Sequence, residues 1–445
     1  MVMKMKKIVV IGGGIAGAGA AYTLAKAGYD VTVVEKSDYI GGRIRSQTQD
    51  DVSVEMGATF LTDVYSSIFK FLDDNGLSDR LQKRKSTLAI VRNGKLHWLS
   101  SPATWIGGSV ISHKAKFLLG REALLAFKMR DKFDVHDLSG ASELDTETVE
   151  QYLSTPAGQS LKEYFIQPGL AGYCFWEPER TSRALIPWIL RAGLAGGSRY
   201  MLRGGLDQIP KVATKNAKVL LSAEVKNVER LKNGQYKVVV HTSEGTKTLD
   251  AHGVVCATTA TVVPKIIHGL HPAQREFFSS FQYSSTAVVA QRFRRDKLTK
   301  AQGIAFPRSE GKSITAVVSE TSVDSQGRFV EAVKMYANNK TAQQLLKQPK
   351  ALVETMLKDA SGTSQKSLIK EQPDYTQLWP EALPEFNAGQ LKKLRDFRDG
   401  KIEDGSLVFA GDYLGGPFME GAFTSGIEAA ERLITCLGLL EGNDN

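Results

Sequence analysis

The chain has 445 residues, 42% hydrophobic and 24% charged, with a formal net charge of +9. It is too long for one simple core and has the composition of an ordinary globular protein. No apolar run reaches the roughly 18 residues that a bilayer span needs, so disordered, fibrous and membrane-spanning classes are set aside.

The start, MVMKMKKIVVIGGGIAGAGAAY, puts a basic end before an apolar stretch, as a secretory signal does. It lacks a cleavage site and reads instead as mature protein, a strand running into a helix. Lys7 to Ile11 carries a β-branched run, as in a parallel strand covered on both faces. The glycines that follow open a helix that runs to about Lys26 and stops at Gly28, and Asp30 to Val34 is a second buried strand ending in Glu35, which completes a βαβ unit. From Phe60 to Arg203 the pattern is of helices broken by one hairpin, with Asn93-Gly94 in type I′ turn positions. Residues 113–133 form a helix that is basic and apolar together, with Lys114, Lys116, Arg121, Lys128 and Arg130 among Phe and Leu. Such a helix either packs on its own domain or lies on a membrane surface. From Lys218 short strands suggest re-entry into the first sheet; Ser284 to Ala337 reads as alternating strands, Lys340 to Lys358 as a helix, and SLVFAGD as a buried strand before a long helix from about Met419.

The positive charge comes without a long Lys/Arg run or a helix-turn-helix, zinc or RNP-like pattern, which argues against a nucleic-acid partner. Solubility, an anionic membrane surface and an acidic small molecule remain open. Cys174, Cys256 and Cys436 are odd in number and far apart, so neither a disulfide framework nor a metal site is expected. A reducing, cytoplasmic setting fits, with membrane association left open by residues 113–133.

Gly12, Gly14 and Gly17, with Ala16 before the last, make a G-x-G-x-x-G between strand and helix. The first permits a tight turn, the second lets backbone approach a pyrophosphate, and the third lets helix and strand pack closely. Glu35 stands at the spacing of an acceptor for adenosine ribose hydroxyls, so this is a dinucleotide site. Gly41-Gly42-Arg43 and then Glu55-Met56-Gly57-Ala58-Thr59 follow, and here the sequence resembles the flavin amine oxidase superfamily. The resemblance implies FAD, with the Arg43 charge near its phosphates. In FAGDYLGGPFMEGAFTSGIEAAERL, Gly411-Asp412 resembles the pair that approaches the ribityl and phosphate portion, and Met419-Glu420-Gly421-Ala422 opens a helix aimed at the flavin ring. Val225 matches the position whose backbone contacts adenine, and Ala257-Thr258 resembles the family's Ala-Thr step.

Monoamine-oxidase-like members carry a lysine on the strand that resembles YSSTAVVAQRF; here Thr286 takes the matching position and the strand has no lysine. No Cys or His just before the final strand suggests covalent attachment, so a dissociable FAD is expected. GKLHWLSSP, PGLAGYCFWEPERTSRALIP, LRGGLDQIP and LWPEALPEFNAG occur in the order of the protoporphyrinogen oxidase branch. The resemblance implies hydride transfer from a largely apolar small molecule to the flavin, with oxygen or a quinone as acceptor. An oxidase of a small amine or pyrrole, and a flavin-binding protein without turnover, stay as alternatives. No acid-base dyad is evident. Trp98, Tyr173, Phe175 and Trp176 are candidate pocket liners, and Arg180 and Arg203 candidate carboxylate partners. The expected fold is α/β: a Rossmann-like, three-layer FAD-binding domain with a parallel sheet, from residues 1–85, 205–265 and 375–445, interleaved with a mixed α+β substrate domain from 86–204 and 266–374.

Overall fold

The computed structural model describes residues 5–84, 86–99, 104, 108, 110–129, 132, 136–194, 198–297, 301–361, 369–400 and 405–442. β1 (Lys7–Ile11) lies between β2 (Asp30–Val34) and Gly253–Cys256 in a five-stranded sheet, with Lys218–Leu220 and Leu407–Phe409 at its edges. Every pairing in it is parallel. Alternate residues of β1 explain its unbroken apolar run: Ile8 and Val10 enter one hydrophobic cluster, Val9 and Ile11 another. A sheet buried on both faces needs apolar residues at every position.

The first cluster is closed by α1 (Ile15–Lys26) and the terminal helix Met419–Gly442. These helices cross through glycine: a Cβ on Gly426 would stand 2.0 Å from the Ala16 carbonyl oxygen. The second cluster is closed partly by an antiparallel meander of Glu224–Arg230, Tyr236–Thr242 and Gly245–Ala251, whose Tyr236, Val238 and Val240 point inward. Only the flanking segments, Lys218–Leu220 and Gly253–Cys256, re-enter the parallel sheet. The three strands between them are joined by short turns, and a parallel neighbour would require a long crossover.

Three short strands, Leu61–Thr62, β3 (Leu81–Arg84) and β4 (Arg199–Leu202), form a further sheet with β4 in the middle. The sequence LQKR shows no alternation, so the helical reading of residues 60–203 missed this sheet. The expected hairpin is present, with φ of 52° at Asn93 and 70° at Gly94. Both values are those a type I′ turn requires. In the same stretch, α2 (His113–Lys128), α3 (Gln167–Cys174) and α4 (Ile186–Leu194) form a helical layer. Of the longer helix expected there, Arg130, residue 131 and residue 133 lie outside the described residues.

The largest sheet has seven strands, in the order Tyr375–Trp379, β5 (Thr286–Arg295), β6 (Phe329–Ala337), Ile314–Val323, Ala301–Ala305, Ser86–Arg92 and Lys95–Trp98. Tyr375–Trp379, grouped by sequence with the cofactor segments, thus pairs with β5 instead. On β6, Val333, Met335 and Ala337 face a helix-covered core, while Ala332 and Tyr336 face Val54 and Met56 of the N-terminal segment. The helix expected over Lys340–Lys358 is two, Asn339–Leu345 and Pro349–Ser361. Pro349 lacks an amide hydrogen and pushes its predecessor out of helical geometry.

Candidate active site

A cavity of about 1770 Å³ opens beyond the parallel sheet and runs to the seven-stranded one. Ordinary ligand pockets hold about 300–1,000 Å³, so this volume suits a large cofactor together with a substrate. Gly12, Gly14 and Ala16 line one end. Gly12 has φ of 100°, and a Cβ there would stand 2.7 Å from the Ala257 carbonyl oxygen. Gly14 precedes α1 with no side-chain cap, and a Cβ on it would meet no atom within 4 Å. The first-turn amides of α1 are therefore left for a ligand, and with no acid in that turn the positive end of the helix dipole is not offset. Gly17 does not line the cavity; a Cβ on it would lie 1.9 Å from the Gly12 carbonyl oxygen, which is the packing role its spacing implied.

Glu35 also lines this end, its carboxylate accepting hydrogen bonds from the amides of Gly13 (2.7 Å) and Ser37 (2.8 Å). Those amides fix its orientation. Gly41, Gly42, Val225, Ala257 and Thr258 complete the wall.

Arg43 sits where the chain's two ends meet. Its guanidinium donates to both carboxylate oxygens of Asp412, at 2.8 and 3.1 Å, and to the Ala382 carbonyl at 2.9 Å. The charge that sequence assigned to phosphates is thus engaged in a forked ion pair that joins residues 369 positions apart. Gly57, Ala58 and Thr59 line the cavity beside it, held by a hydrogen bond from Trp379 Nε1 to the Met56 carbonyl (2.7 Å). Gly411, Asp412, Met419 and Ala422 line it from the C-terminal side. Met419 and Ala422 are three residues apart and share a helix face. Glu420 turns away and accepts from the Ser67 (2.6 Å) and Ile68 (3.0 Å) amides. The one acid in that first turn therefore caps another helix, Ser66–Asp74, whose own cap residue, Tyr65, makes no side-chain cap.

Tyr173 and Phe175 line the far half of the cavity. Phe175 ends α3 at φ 59° and stacks on Tyr336, with centroids 6.4 Å apart. The Tyr336 hydroxyl lies 3.3 Å from Thr59 Oγ1, so the seven-stranded sheet reaches the Gly57–Thr59 segment. Thr286 lines the cavity and donates to the Ala337 carbonyl (2.8 Å).

Four sequence candidates lie elsewhere. Trp98 is 44% exposed on the outer strand of the large sheet. Trp176 is packed edge-on against Phe386 inside the core. Arg180 is bound to Glu385 at 2.6 Å, and Arg203 is exposed. Residue type alone suits each to a pocket, but for Trp176 and Arg180 partners distant in sequence, Phe386 and Glu385, decide where the side chain points. In their place Phe60, Trp188, Lys83, Arg84 and Arg199 line the far half. The lysine absent from β5 has a neighbour on β6: Lys334, buried, lies 3.2 Å from Glu320, which borders the cavity. Burial works to lower the Lys334 pKa, but Glu320, Tyr336 and Glu55 outweigh it and hold the amine above its usual range.

The pattern of flavin containing amine oxidoreductases matches residues 15–434. The chain belongs to this family. Protoporphyrinogen oxidase 2, chloroplastic/mitochondrial, of Arabidopsis thaliana is 23% identical to this chain over 97% of it and 94% of its own length. A solved structure of putrescine oxidase bound to putrescine has a TM-score of 0.75 at 16% identity, covering 97% of this chain and 99% of its own. Cyclohexylamine oxidase from Brevibacterium oxydans gives 0.73 at 16%, covering 98% and 100%. At such identities the structural likenesses establish the fold.

The protein is an FAD-dependent oxidoreductase. The residues present fit the cofactor: an uncapped α1 N-terminus, a glycine whose missing Cβ leaves open space, and an acid fixed at the end of β2. When bound, FAD supplies two-electron redox chemistry, and the chain supplies binding, orientation and exclusion of water.

Proposed function

We propose that the protein holds FAD without a covalent bond and oxidises a largely apolar small molecule by hydride transfer, with a porphyrinogen as the preferred substrate and oxygen or a quinone as acceptor. The observation that carries this reading is the continuity of the cavity, from Gly12 and Glu35 to the apolar wall of Phe175, Trp188, Val288 and Tyr336. None of the three cysteines lines it, in keeping with a dissociable cofactor. The assignment of Gly12, Gly14, Ala16, Glu35, Gly42, Gly57 to Thr59, Val225, Asp412, Met419 and Ala422 to FAD belongs to the same proposal and follows from their shared position along one cavity.

In this reading α1 and Gly14 receive the phosphates, Glu35 takes the ribose hydroxyls, and the Phe175–Tyr336 stack holds the substrate against the ring and keeps water out. Hydride transfer demands positioning above all, which suits the apolar stretch of wall formed by Phe175, Trp188, Val288 and Tyr336. We place the protein in the cytoplasm, with the outer face of α2 against a lipid surface.

Aerobic incubation with protoporphyrinogen is expected to give fluorescent porphyrin faster than the enzyme-free control. No acceleration, combined with anaerobic flavin bleaching by a small amine or pyrrole, would transfer the activity to that class.

A further inference from the structure

β3 and β4 run antiparallel at the far end of the cavity with Arg84 directly opposite Arg199 and Lys83 opposite Tyr200. Lys83, Arg84 and Arg199 all line the cavity. Like charges directly opposite on paired strands repel, and a fold keeps such a pair most readily where an anion lies between them. Arg199 donates to the Tyr173 hydroxyl (2.8 Å) and lies 4.7 Å from the Phe60 ring centroid; Arg84 donates to Gln82 Oε1 (2.7 Å). Among the described residues neither guanidinium has a carboxylate within ion-pair distance.

The acids on this half of the cavity are engaged elsewhere. Asp63 accepts from the Ser198 amide (3.1 Å), and Glu320 is paired with Lys334. The cofactor end has its own arrangement, in which Arg43 is committed to Asp412. The pair is also built into the apolar wall: Tyr173, which holds Arg199, is on α3, two residues before Phe175.

We propose that Arg84 and Arg199 form a carboxylate-binding site, with Lys83 at its edge, and that the substrate is an apolar body bearing at least one carboxylate. Each guanidinium presents a planar fork that matches a carboxylate, and the aromatic contacts of Arg199 hold it ready. The carboxylate then fixes which carbon of the body faces the Phe175–Tyr336 stack. This deepens the substrate reading above and rests on it for the orientation, but recognition of the carboxylate can be measured without turnover.

The test uses the flavin-loaded protein and two fluorescent probes of one shape, 1-pyrenebutyrate and 1-pyrenebutanol. The carboxylate is expected to bind at least tenfold tighter than the alcohol, with the preference shrinking as salt is added. In Arg84→Gln and in the double variant Arg84→Gln/Arg199→Gln the preference should fall below threefold, and Arg84→Lys should restore part of it. The flavin absorption band should be unchanged in all of them. Equal binding of the two probes by the unaltered protein, or a preference that survives the double variant, overturns the proposal. So does loss of the flavin band in Arg84→Gln, which would give the pair to the cofactor. A tenfold preference with no porphyrinogen turnover leaves the carboxylate site standing and sinks only the porphyrinogen.

Discussion

Glu55 lies beneath the Gly57–Thr59 segment, 1% exposed, where it accepts hydrogen bonds from Ser46 Oγ (2.7 Å) and the Leu206 amide (3.0 Å). Burial pushes its carboxyl up to about 7, against the opposing pull of those bonds and of Lys334. An acid whose folded pKa is raised binds its proton more tightly folded than unfolded. Its contribution is therefore fully present below the unfolded value near 4.5 and is lost as pH rises through about 7. The loss across that window is at most about 3 kcal/mol. Glu55→Gln keeps a polar partner for both bonds and removes the titration. Urea unfolding of the variant should show a flatter dependence on pH between 5 and 8 than the parent, and parallel curves would exclude this account. At this scale the sequence was legible where backbone chemistry decides. Gly12, Gly14 and Glu35 line the cavity because a tight turn and a strand end leave them nowhere else to go. It was opaque for Trp98 and Trp176, whose side chains could turn to solvent, core or cavity with no local signal. Arg84 and Arg199 had no motif to announce them, since their partnership spans two strands far apart in the chain.

The helix α2 shows how an element can be read correctly and still leave its role to the fold. Ala115, Glu122 and Ala126 form its buried side, and Glu122 is satisfied there by Arg121 (2.9 Å) and the Tyr152 hydroxyl (2.8 Å). Phe117 and Leu124, seven residues apart, are 77% and 54% exposed. Lys114, Arg121 and Lys128, also at seven-residue spacing, form the adjacent stripe. Residues seven apart share a helix face, so the outer surface pairs an apolar ridge with a basic one, as interfacial helices do. The inner side packs on α4, whose Trp188 and Ile189 line the cavity, which would bring an apolar substrate from lipid to the site by a short route. Vesicles of phosphatidylglycerol and phosphatidylcholine should pellet the protein, and Phe117→Ser/Leu124→Ser should weaken that binding about a hundredfold or more, each side chain contributing about 1.5–3 kcal/mol when buried in lipid. Equal pelleting of parent and variant would assign the ridge to something other than a membrane. The strands of β1 and β2 were legible because continuous apolar runs admit few alternatives; β3, four residues without alternation, was not.

Across the whole molecule, the two ends of the chain are joined by the Arg43–Asp412 fork, the Glu420 cap on Ser66–Asp74 and the glycine crossing of α1 with the terminal helix. Asp412 is 5% exposed on its side chain, so removing its partner leaves a nearly buried charge. Such losses cost about 3–5 kcal/mol where burial is complete. Arg43→Leu should therefore lower Tm and speed the loss of flavin on gel filtration, and added FAD should recover part of the Tm through binding linkage. An unchanged Tm with full flavin retention would show that the fork is dispensable. The βαβ start and the C-terminal segment were readable as halves of one site because each carries glycines with a fixed mechanical purpose. The sorting of Tyr375–Trp379 was not, because strand partners are chosen by the tertiary fold.

Leu407–Phe409 takes the sheet position beside Gly253–Cys256. During synthesis, then, this edge of Gly253–Cys256 has only water for its amides and carbonyls until Leu407–Phe409 has left the ribosome. A waiting, β-branched edge is prone to pair with another nascent chain. Yield of this protein in cells should accordingly depend on chaperones that shield such intermediates, and on how promptly translation reaches Leu407–Phe409.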